Sequence, residues 1–151
     1  MKNFTVKEIL EYSRDLEQES YTYYTTASET LHDAELKSLT QELAAEELKH
    51  FNRINTLLEN SSLTPEMMSA RIGIASEDHE MLVATRTLPE NPTPVAILTT
   101  ALQREVNTRN VYKTLITITD LTGDIINTFE ELAQQEEGHA NRIRSLIKKY
   151  A

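Results

Sequence analysis

Two segments of the same length carry the residues that could do chemistry in this chain. Leu43–Ile54 (LAAEELKHFNRI) and Leu132–Ile143 (LAQQEEGHANRI) lie 89 residues apart and agree at seven positions. In each, a glutamate precedes a histidine by three residues, so on a helix the two side chains lean to the same side about one turn apart. Two such helices facing each other can offer a metal pair its nitrogen ligands and half of its oxygen ligands. The matched residues are Glu47 with His50 and Glu136 with His139.

The Glu-x-x-His spacing is weak evidence when it stands alone. The chain has 19 glutamates in 151 residues, so a histidine often has one three positions earlier by chance, as His32 has in Glu29. The metal hypothesis therefore depends on the repeat and on the helices that position it.

The first predicted helix runs from about Thr5, which can cap it, to Leu31. Apolar and small residues recur at three- and four-residue steps, and Glu17 interrupts them in the middle. The stripe consists of Val6, Ile9, Leu10, Ser13, Leu16, Ser20, Tyr24, Ala27 and Leu31.

A turn at His32 and Asp33, with Asp33 as N-cap, leads to a second helix that reaches about Glu59. Charge again interrupts its apolar line only in the middle. The inward residues are Leu36, Leu39, Leu43, Glu47, His50, Ile54 and Leu57.

The third predicted helix begins at Thr93-Pro94 and continues to about Thr119. Its inward residues are Val95, Leu98, Leu102, Glu105, Thr108, Tyr112 and Leu115. A turn at residues 120–123, with Thr122 as a cap, opens a fourth helix that ends near Tyr150. The inward residues of the fourth helix are Ile126, Phe129, Leu132, Glu136, His139, Ile143 and Leu146.

Residues 61–93 connect the two helical hairpins. Thr64-Pro65 is a good helix start, which predicts a helical segment from Pro65 into the eighties, and Leu88–Pro94 is expected to be extended. A charge run at residues 77–80, which includes His79, is expected to be solvated, with a second metal site as the alternative. A connection this long is uncommon in a compact domain, but it can return the chain along helices close to 40 Å long.

The sequence thus predicts an all-α four-helix bundle within one domain, residues 1–151. Its two antiparallel hairpins span about 5–60 and 94–150. Positions equidistant from a hairpin turn lie at the same height, which places one acid of each helix in a single layer of the bundle. These acids are Glu17, Glu47, Glu105 and Glu136. Tyr24 and Tyr112 each follow an acid by seven residues, which is nearly the same face two turns along, and could hydrogen-bond a carboxylate of a neighbouring helix.

These motifs resemble the rubrerythrin branch of the ferritin-like di-iron carboxylate proteins. The resemblance covers both hairpins through Glu17 with Tyr24, Glu47-x-x-His50, Glu105 with Tyr112, and Glu136-x-x-His139. It implies a ferritin-like bundle with one long crossover and two bound iron ions, with manganese or zinc as substitutes for the same ligand atoms. It also implies Glu47 and Glu136 as bridging carboxylates, Glu17 and Glu105 as terminal or bridging ligands, and one histidine for each iron.

Two departures from this family refine the expected function. Rubrerythrins usually carry a cysteine-ligated rubredoxin domain, and the chain has no Cys, so a separate electron-donor protein is expected. Many also have a further glutamate one turn after the third-helix ligand, where this chain has Thr108 and Arg109. The resemblance therefore implies a six-ligand oxidoreductase that responds to oxidative stress, with little preference between hydrogen peroxide and dioxygen.

Composition narrows the classes of protein. Three Gly, four Pro and abundant Leu, Glu and Ala favour helix, and a net charge of −9 without a basic block argues against nucleic-acid binding. No apolar run approaches a membrane span, and the N-terminus has no signal-peptide core. A cytoplasmic protein without a membrane partner is expected, as a homodimer or larger homo-oligomer.

Alternatives remain for the buried acids. Salt bridges could neutralise them, but Arg109 is the only cation predicted near the four carboxylates, and each unpaired buried ion costs several kcal/mol. Two divalent ions would match four carboxylates. Three functions stay open: a redox enzyme that reduces peroxide or dioxygen, an iron-handling or storage protein, and a bundle with a purely structural metal pair.

Overall fold

A computed structural model describes residues 2–59, 64–69, 71–74, 92–117 and 123–151. The elements in chain order are β1 (Lys2–Thr5), α1 (Val6–Thr30), α2 (Ala34–Glu59), α3 (Pro65–Ser69), β2 (Arg71–Ile74), α4 (Pro94–Ile116) and α5 (Gly123–Tyr150). The four long helices dominate, so the all-α prediction is confirmed. Within the described ranges, no helix is both long and apolar enough to cross a membrane.

The long helices begin where the sequence predicts them to begin. Thr5 and Glu8 form a capping box at the start of α1. The Asp33 carboxylate accepts the Leu36 amide at 3.0 Å. Thr93 caps α4, and proline follows at its first helical position. At its far end α4 stops at Ile116, three residues before the predicted end, and the predicted cap Thr122 lies outside the described residues.

The two hairpins pack side by side with neighbouring helices antiparallel. Tyr24 of α1 bonds Glu105 of α4, whereas Tyr112, seven residues later on α4, reaches back to Glu17. The helices α2 and α5 are related in the same way, since Arg53 pairs with Glu131 and Arg142 with Glu42. Because α1 is antiparallel to both α2 and α4, the helices α2 and α4 are parallel to each other, as the one-crossover bundle requires.

Two apolar clusters fill the bundle on either side of a polar layer. One contains Ile9, Leu10, Ile54 and Phe129, where α1 begins and α2 ends. The other contains Tyr23, Leu31, Leu36, Ile97 and Ile143, near the α1–α2 turn. The predicted inward faces are buried or partly buried, with small shifts on the second hairpin. Ile125 of α5 is fully buried, whereas Ile126 is only partly so. On α4, Ile97 is buried, whereas Val95 is only partly so.

The crossover contains a strand where the sequence analysis predicts helix. The helix that begins at Pro65 ends at Ser69, and Arg71–Ile74 pairs antiparallel with Lys2–Thr5, so the prediction of helix into the eighties is wrong. Isoleucines on both sides of Gly73 favour strand, and pairing with β1 satisfies backbone groups that a helix would otherwise satisfy. The charge run at residues 77–80 and most of the Leu88–Pro94 segment lie outside the described residues.

The β-ribbon, formed by β1 and β2, and the short helix α3 cover one end of the bundle. Phe4 of β1 and both Met67 and Met68 of α3 pack against the apolar cluster around Ile9 and Ile54. The N-terminal residues that precede the first helix therefore help to close the core.

Candidate metal centre

The structure brings all six predicted ligand side chains into one layer at the middle of the bundle. Each long helix contributes a glutamate, and α2 and α5 each add a histidine one turn further on. None of the six is more than 6% exposed, although four are carboxylates. The residues are Glu17, Glu47, His50, Glu105, Glu136 and His139.

The six side chains form two groups that share members. Glu17 and His50 make one group together with Glu47 and Glu136, and Glu105 and His139 make the other with the same two shared glutamates. Within each group, one ligand atom per residue lies within 4.8 Å of every other. A pair of carboxylates common to two groups is the arrangement that two ions with bridging ligands require.

Both imidazoles direct Nδ1 at the carboxylates. For His50, this atom lies 2.8 Å from Glu136 Oε1, 3.5 Å from Glu17 Oε1 and 3.8 Å from Glu47 Oε2. For His139, the distances are 3.2 Å to Glu47 Oε1, 3.5 Å to Glu105 Oε2 and 3.9 Å to Glu136 Oε2. The two rings stack with centroids 5.9 Å apart. Nitrogen and oxygen donors thus converge from four helices.

Two buried tyrosines hold the acids that are not shared. The Tyr24 hydroxyl donates to Glu105 Oε1 at 2.6 Å, and the Tyr112 hydroxyl donates to Glu17 Oε1. Burial, and then the charges of these glutamates, raise the pKa of both tyrosines well above its usual value. They therefore stay protonated donors. Each bond joins α1 to α4, and each leaves one carboxylate oxygen directed elsewhere.

Without a bound cation, the charged forms of the two shared glutamates are electrostatically unfavourable. Burial, followed by the charge of Glu105, raises the pKa of both Glu47 and Glu136 well above its usual value. Burial acts on Glu105 in the same sense, yet its close contacts with the Glu136 carboxyl and the His139 imidazole bring its pKa below the usual value. Burial would lower the pKa of His50, but hydrogen bonding and the charge of Glu17 raise it. The cluster therefore attracts positive charge.

Several atoms of the cluster have lone pairs without a partner. Within the described residues, Nδ1 of His139 and four carboxylate oxygens are buried and form no hydrogen bond, although acceptors and donors in protein interiors are normally paired. The oxygens are Glu17 Oε2, Glu47 Oε1, Glu105 Oε2 and Glu136 Oε2. Carboxylate and imidazole donors without thiolate suit iron, manganese or zinc. The residues fit a pair of divalent ions.

The cation that the sequence placed near the acids does not neutralise them. Arg109 forms an ion pair with the partly exposed Glu137. The hydroxyl of Thr108, where many rubrerythrins have a further glutamate, donates to the Arg104 carbonyl at 3.0 Å. Glu29 and His32 are exposed at the end of the first hairpin, apart from the cluster, and His79 lies outside the described residues.

Residues on the rim of the centre were missed by the sequence analysis. His50 Nε2 lies 2.6 Å from Gln135 Oε1 of α5, and His139 Nε2 lies 4.0 Å from Glu46 Oε2 of α2. Glu46 and Gln135 occupy equivalent positions of the 89-residue repeat, immediately before the shared glutamates. The repeat could have indicated these residues, because a metal-binding histidine usually has a polar partner at its outer nitrogen.

Comparison with known proteins agrees with this geometry. A family model described as Rubrerythrin matches residues 96–151, which are nearly all of α4 and all of α5. A protein from Thermotoga maritima described as a ferritin-like diiron-carboxylate protein has a similar structure, with a TM-score of 0.80. The alignment covers 100% of this chain and 99% of that one at 19% identity. No curated protein matches the chain.

The fold is therefore ferritin-like, a bundle of two hairpins with one crossover. Within that fold, the second hairpin is similar to the rubrerythrin family, because residues 96–151 match its model and carry Glu105 and the Glu136-x-x-His139 motif. The resemblance seen in the sequence is confirmed.

Proposed function

We propose that this protein is a di-iron carboxylate oxidoreductase that reduces hydrogen peroxide or dioxygen while Fe(II) is oxidised. The observation that carries the proposal is the pair of four-residue groups that share Glu47 and Glu136. The match of the second hairpin to the rubrerythrin model supports this chemistry over a purely structural metal pair.

The six side chains divide into ligand sets by their geometry. Glu17 and His50 would hold one ion, Glu105 and His139 the other, and the shared glutamates both. Two divalent ions carry four positive charges, which would offset the four carboxylates, whose burial is otherwise costly. When bound, the iron pair would supply two electrons, which together with two protons from solvent reduce hydrogen peroxide to two waters or dioxygen to hydrogen peroxide.

The remaining work belongs to residues around the ligands. The hydroxyls of Tyr24 and Tyr112 fix the orientation of Glu105 and Glu17 by hydrogen bonds. The apolar clusters on both sides of the layer keep water from the buried carboxylates. Thr108, one turn after Glu105, has no carboxylate and donates its hydroxyl to a backbone carbonyl, so the site lacks a fifth carboxylate as a seventh ligand. We therefore expect similar rates with the two oxidants.

Repeated turnover needs a source of electrons. The 151 residues contain no Cys and so cannot bind iron through thiolates. We propose a separate electron-donor protein and a homodimer or larger homo-oligomer. Assembly size distinguishes this proposal from an iron-storage protein, which would form a shell around oxidised iron.

Stopped-flow mixing of the anaerobic Fe(II)-loaded protein with each oxidant separately tests the proposal. We expect two electrons per protein to be consumed, with rates for peroxide and dioxygen within about tenfold of each other. Glu29→Ala, which changes an exposed acid outside the cluster, should react as the wild type does. A peroxide rate orders of magnitude higher would indicate a dedicated peroxidase. Oxidation by neither oxidant would refute the redox function and favour a structural metal pair.

A further inference from the structure

We propose that Glu46 makes the two metal positions unequal, so that the position of Glu105 and His139 binds a divalent ion more tightly than that of Glu17 and His50. This inference rests on the proposed metal pair, and it concerns residues outside the ligand set. Glu46 would act as a positioning residue through His139.

The inner ligands of the two positions are chemically alike. Each position has one glutamate of its own, one histidine directed through Nδ1, and the same two shared glutamates. Each unshared glutamate also accepts a bond from a tyrosine of the other hairpin. A difference in affinity must therefore arise mainly outside this set.

The outer nitrogens of the two histidines face different groups. His50 Nε2 contacts the amide oxygen of Gln135 at 2.6 Å. An amide oxygen only accepts, so Nε2 carries a hydrogen, and Nδ1 would present its lone pair to a bound metal ion. His139 Nε2 faces a carboxylate oxygen of Glu46 at 4.0 Å. One outer nitrogen is thus hydrogen-bonded to a neutral amide, and the other faces a carboxylate at a longer distance.

This difference has a definite direction. A carboxylate beside the outer N–H of a metal-binding histidine makes the imidazole a stronger donor, and removing such a partner typically costs about 10–100-fold in metal affinity. The Glu46 carboxylate is 35% exposed and its distance is long. Water screens such a contact, so we expect an effect near the lower end of that range.

Binding of Mn(II) to the metal-free protein, followed by the electron paramagnetic resonance signal of free Mn(II), tests the inference without any turnover. The wild type should bind two ions in unequal steps. Two background variants isolate the positions. His50→Gln keeps His139, the histidine of the position with Glu105. His139→Gln keeps His50, the histidine of the position with Glu17. Glu46→Gln should weaken binding about tenfold in the first background and less than twofold in the second.

The reciprocal exchange and a charge control complete the experiment. Gln135→Glu should strengthen binding only where His50 is retained. Glu29→Gln removes the same charge at the exposed end of α1 and should change neither affinity. If a background variant fails to fold, Glu46→Gln in the otherwise unchanged protein should still bring the two steps closer together.

Each of the following results would overturn the inference. Equal affinities in the wild type would remove the asymmetry, and an unchanged affinity after Glu46→Gln would remove the role of Glu46. A loss shared by both backgrounds, or matched by Glu29→Gln, would show only an effect of net charge. Two bound ions with no effect of Glu46 would leave the proposed metal pair intact, whereas binding of neither Mn(II) nor Fe(II) by the wild type would refute both.

Discussion

At the residue scale, the centre is built from contacts that cross between the hairpins. Glu17 accepts a hydrogen bond from a tyrosine hydroxyl of α4, and Glu105 accepts one from a tyrosine hydroxyl of α1. His50 of α2 contacts Glu136 of α5. No single helix holds its own acid in place. The four carboxylates are kept together although their charges repel, which indicates that the surrounding packing and hydrogen bonds impose the arrangement.

The first prediction at this scale concerns the shared glutamates. Glu47→Ala or Glu136→Ala removes a ligand common to both groups, so the number of bound metal ions should fall below two per chain. Metal analysis after anaerobic loading with Fe(II) measures this number directly. Glu29→Ala and His32→Ala change the same residue types with the same spacing at an exposed position, and they should leave it unchanged. If Glu29→Ala or His32→Ala lowered the number of bound ions as much as Glu47→Ala or Glu136→Ala, the ligands would be assigned wrongly.

At the element scale, the helices and their inward faces could be predicted because local rules and the core agree. Capping residues at Thr5, Asp33 and Thr93 define the starts, and the 3.6-residue period defines the buried faces. The layer of acids followed from helix geometry alone. The ribbon could not be predicted, because the pairing of Lys2–Thr5 with Arg71–Ile74 joins residues far apart in the sequence. Glu46 and Gln135 were missed because their roles depend on which side chains face each other across α2 and α5.

The capping box of α1 gives a second prediction. Thr5 accepts the Glu8 amide at 3.1 Å, and Glu8 accepts the Thr5 amide at 3.0 Å. Thr5→Ala should lower the free energy of unfolding by about 0.5–2 kcal/mol, which corresponds to a fall in Tm of roughly 2–4 °C per kcal/mol in a chain of this size. Differential scanning calorimetry of the metal-free protein measures the change.

A matched control for this prediction lies within α2. Thr56 is exposed in the last turn of α2, where its hydroxyl donates a hydrogen bond to the Asn52 carbonyl at 2.9 Å. Thr56→Ala should be neutral or slightly stabilising, because alanine has the higher helix propensity. A comparable loss of stability in both variants would argue against a specific role for the cap.

At the scale of the whole molecule, the stability of the metal-free bundle depends on the protons held by its centre. Raised pKa values at Glu47, Glu136 and His50 mean that the folded state binds protons more tightly than the unfolded chain. Stability then falls as pH rises through these values. The lowered pKa of Glu105 acts in the opposite sense, below the ordinary value of 4.5.

The protons held by the centre give a third prediction. The metal-free protein should melt at a lower temperature at pH 8 than at pH 5, because the acids with raised pKa values lose their protons above 4.5. Anaerobic Fe(II) should raise Tm at pH 8 and remove most of the difference, since an ion that binds only the folded state stabilises it. The double variant Glu47→Gln, Glu136→Gln should show a smaller pH dependence. Equal melting at both pH values, with no upward shift on adding Fe(II), would contradict the prediction.

The reciprocal contacts between the hairpins have a consequence for the origin of the chain. Arg53 pairs with Glu131 and Arg142 with Glu42, which are equivalent positions at the 89-residue offset of the repeat. The two tyrosine–glutamate bonds are also reciprocal, at an offset of 88 residues. Each hairpin therefore contributes the same kinds of side chain to the centre, and contacts of this kind are typical of a symmetric dimer. A single ancestral hairpin that paired with a copy of itself could have assembled the whole ligand set. Duplication and fusion through the crossover would then have freed the copies to diverge, as Glu46 and Gln135 have done.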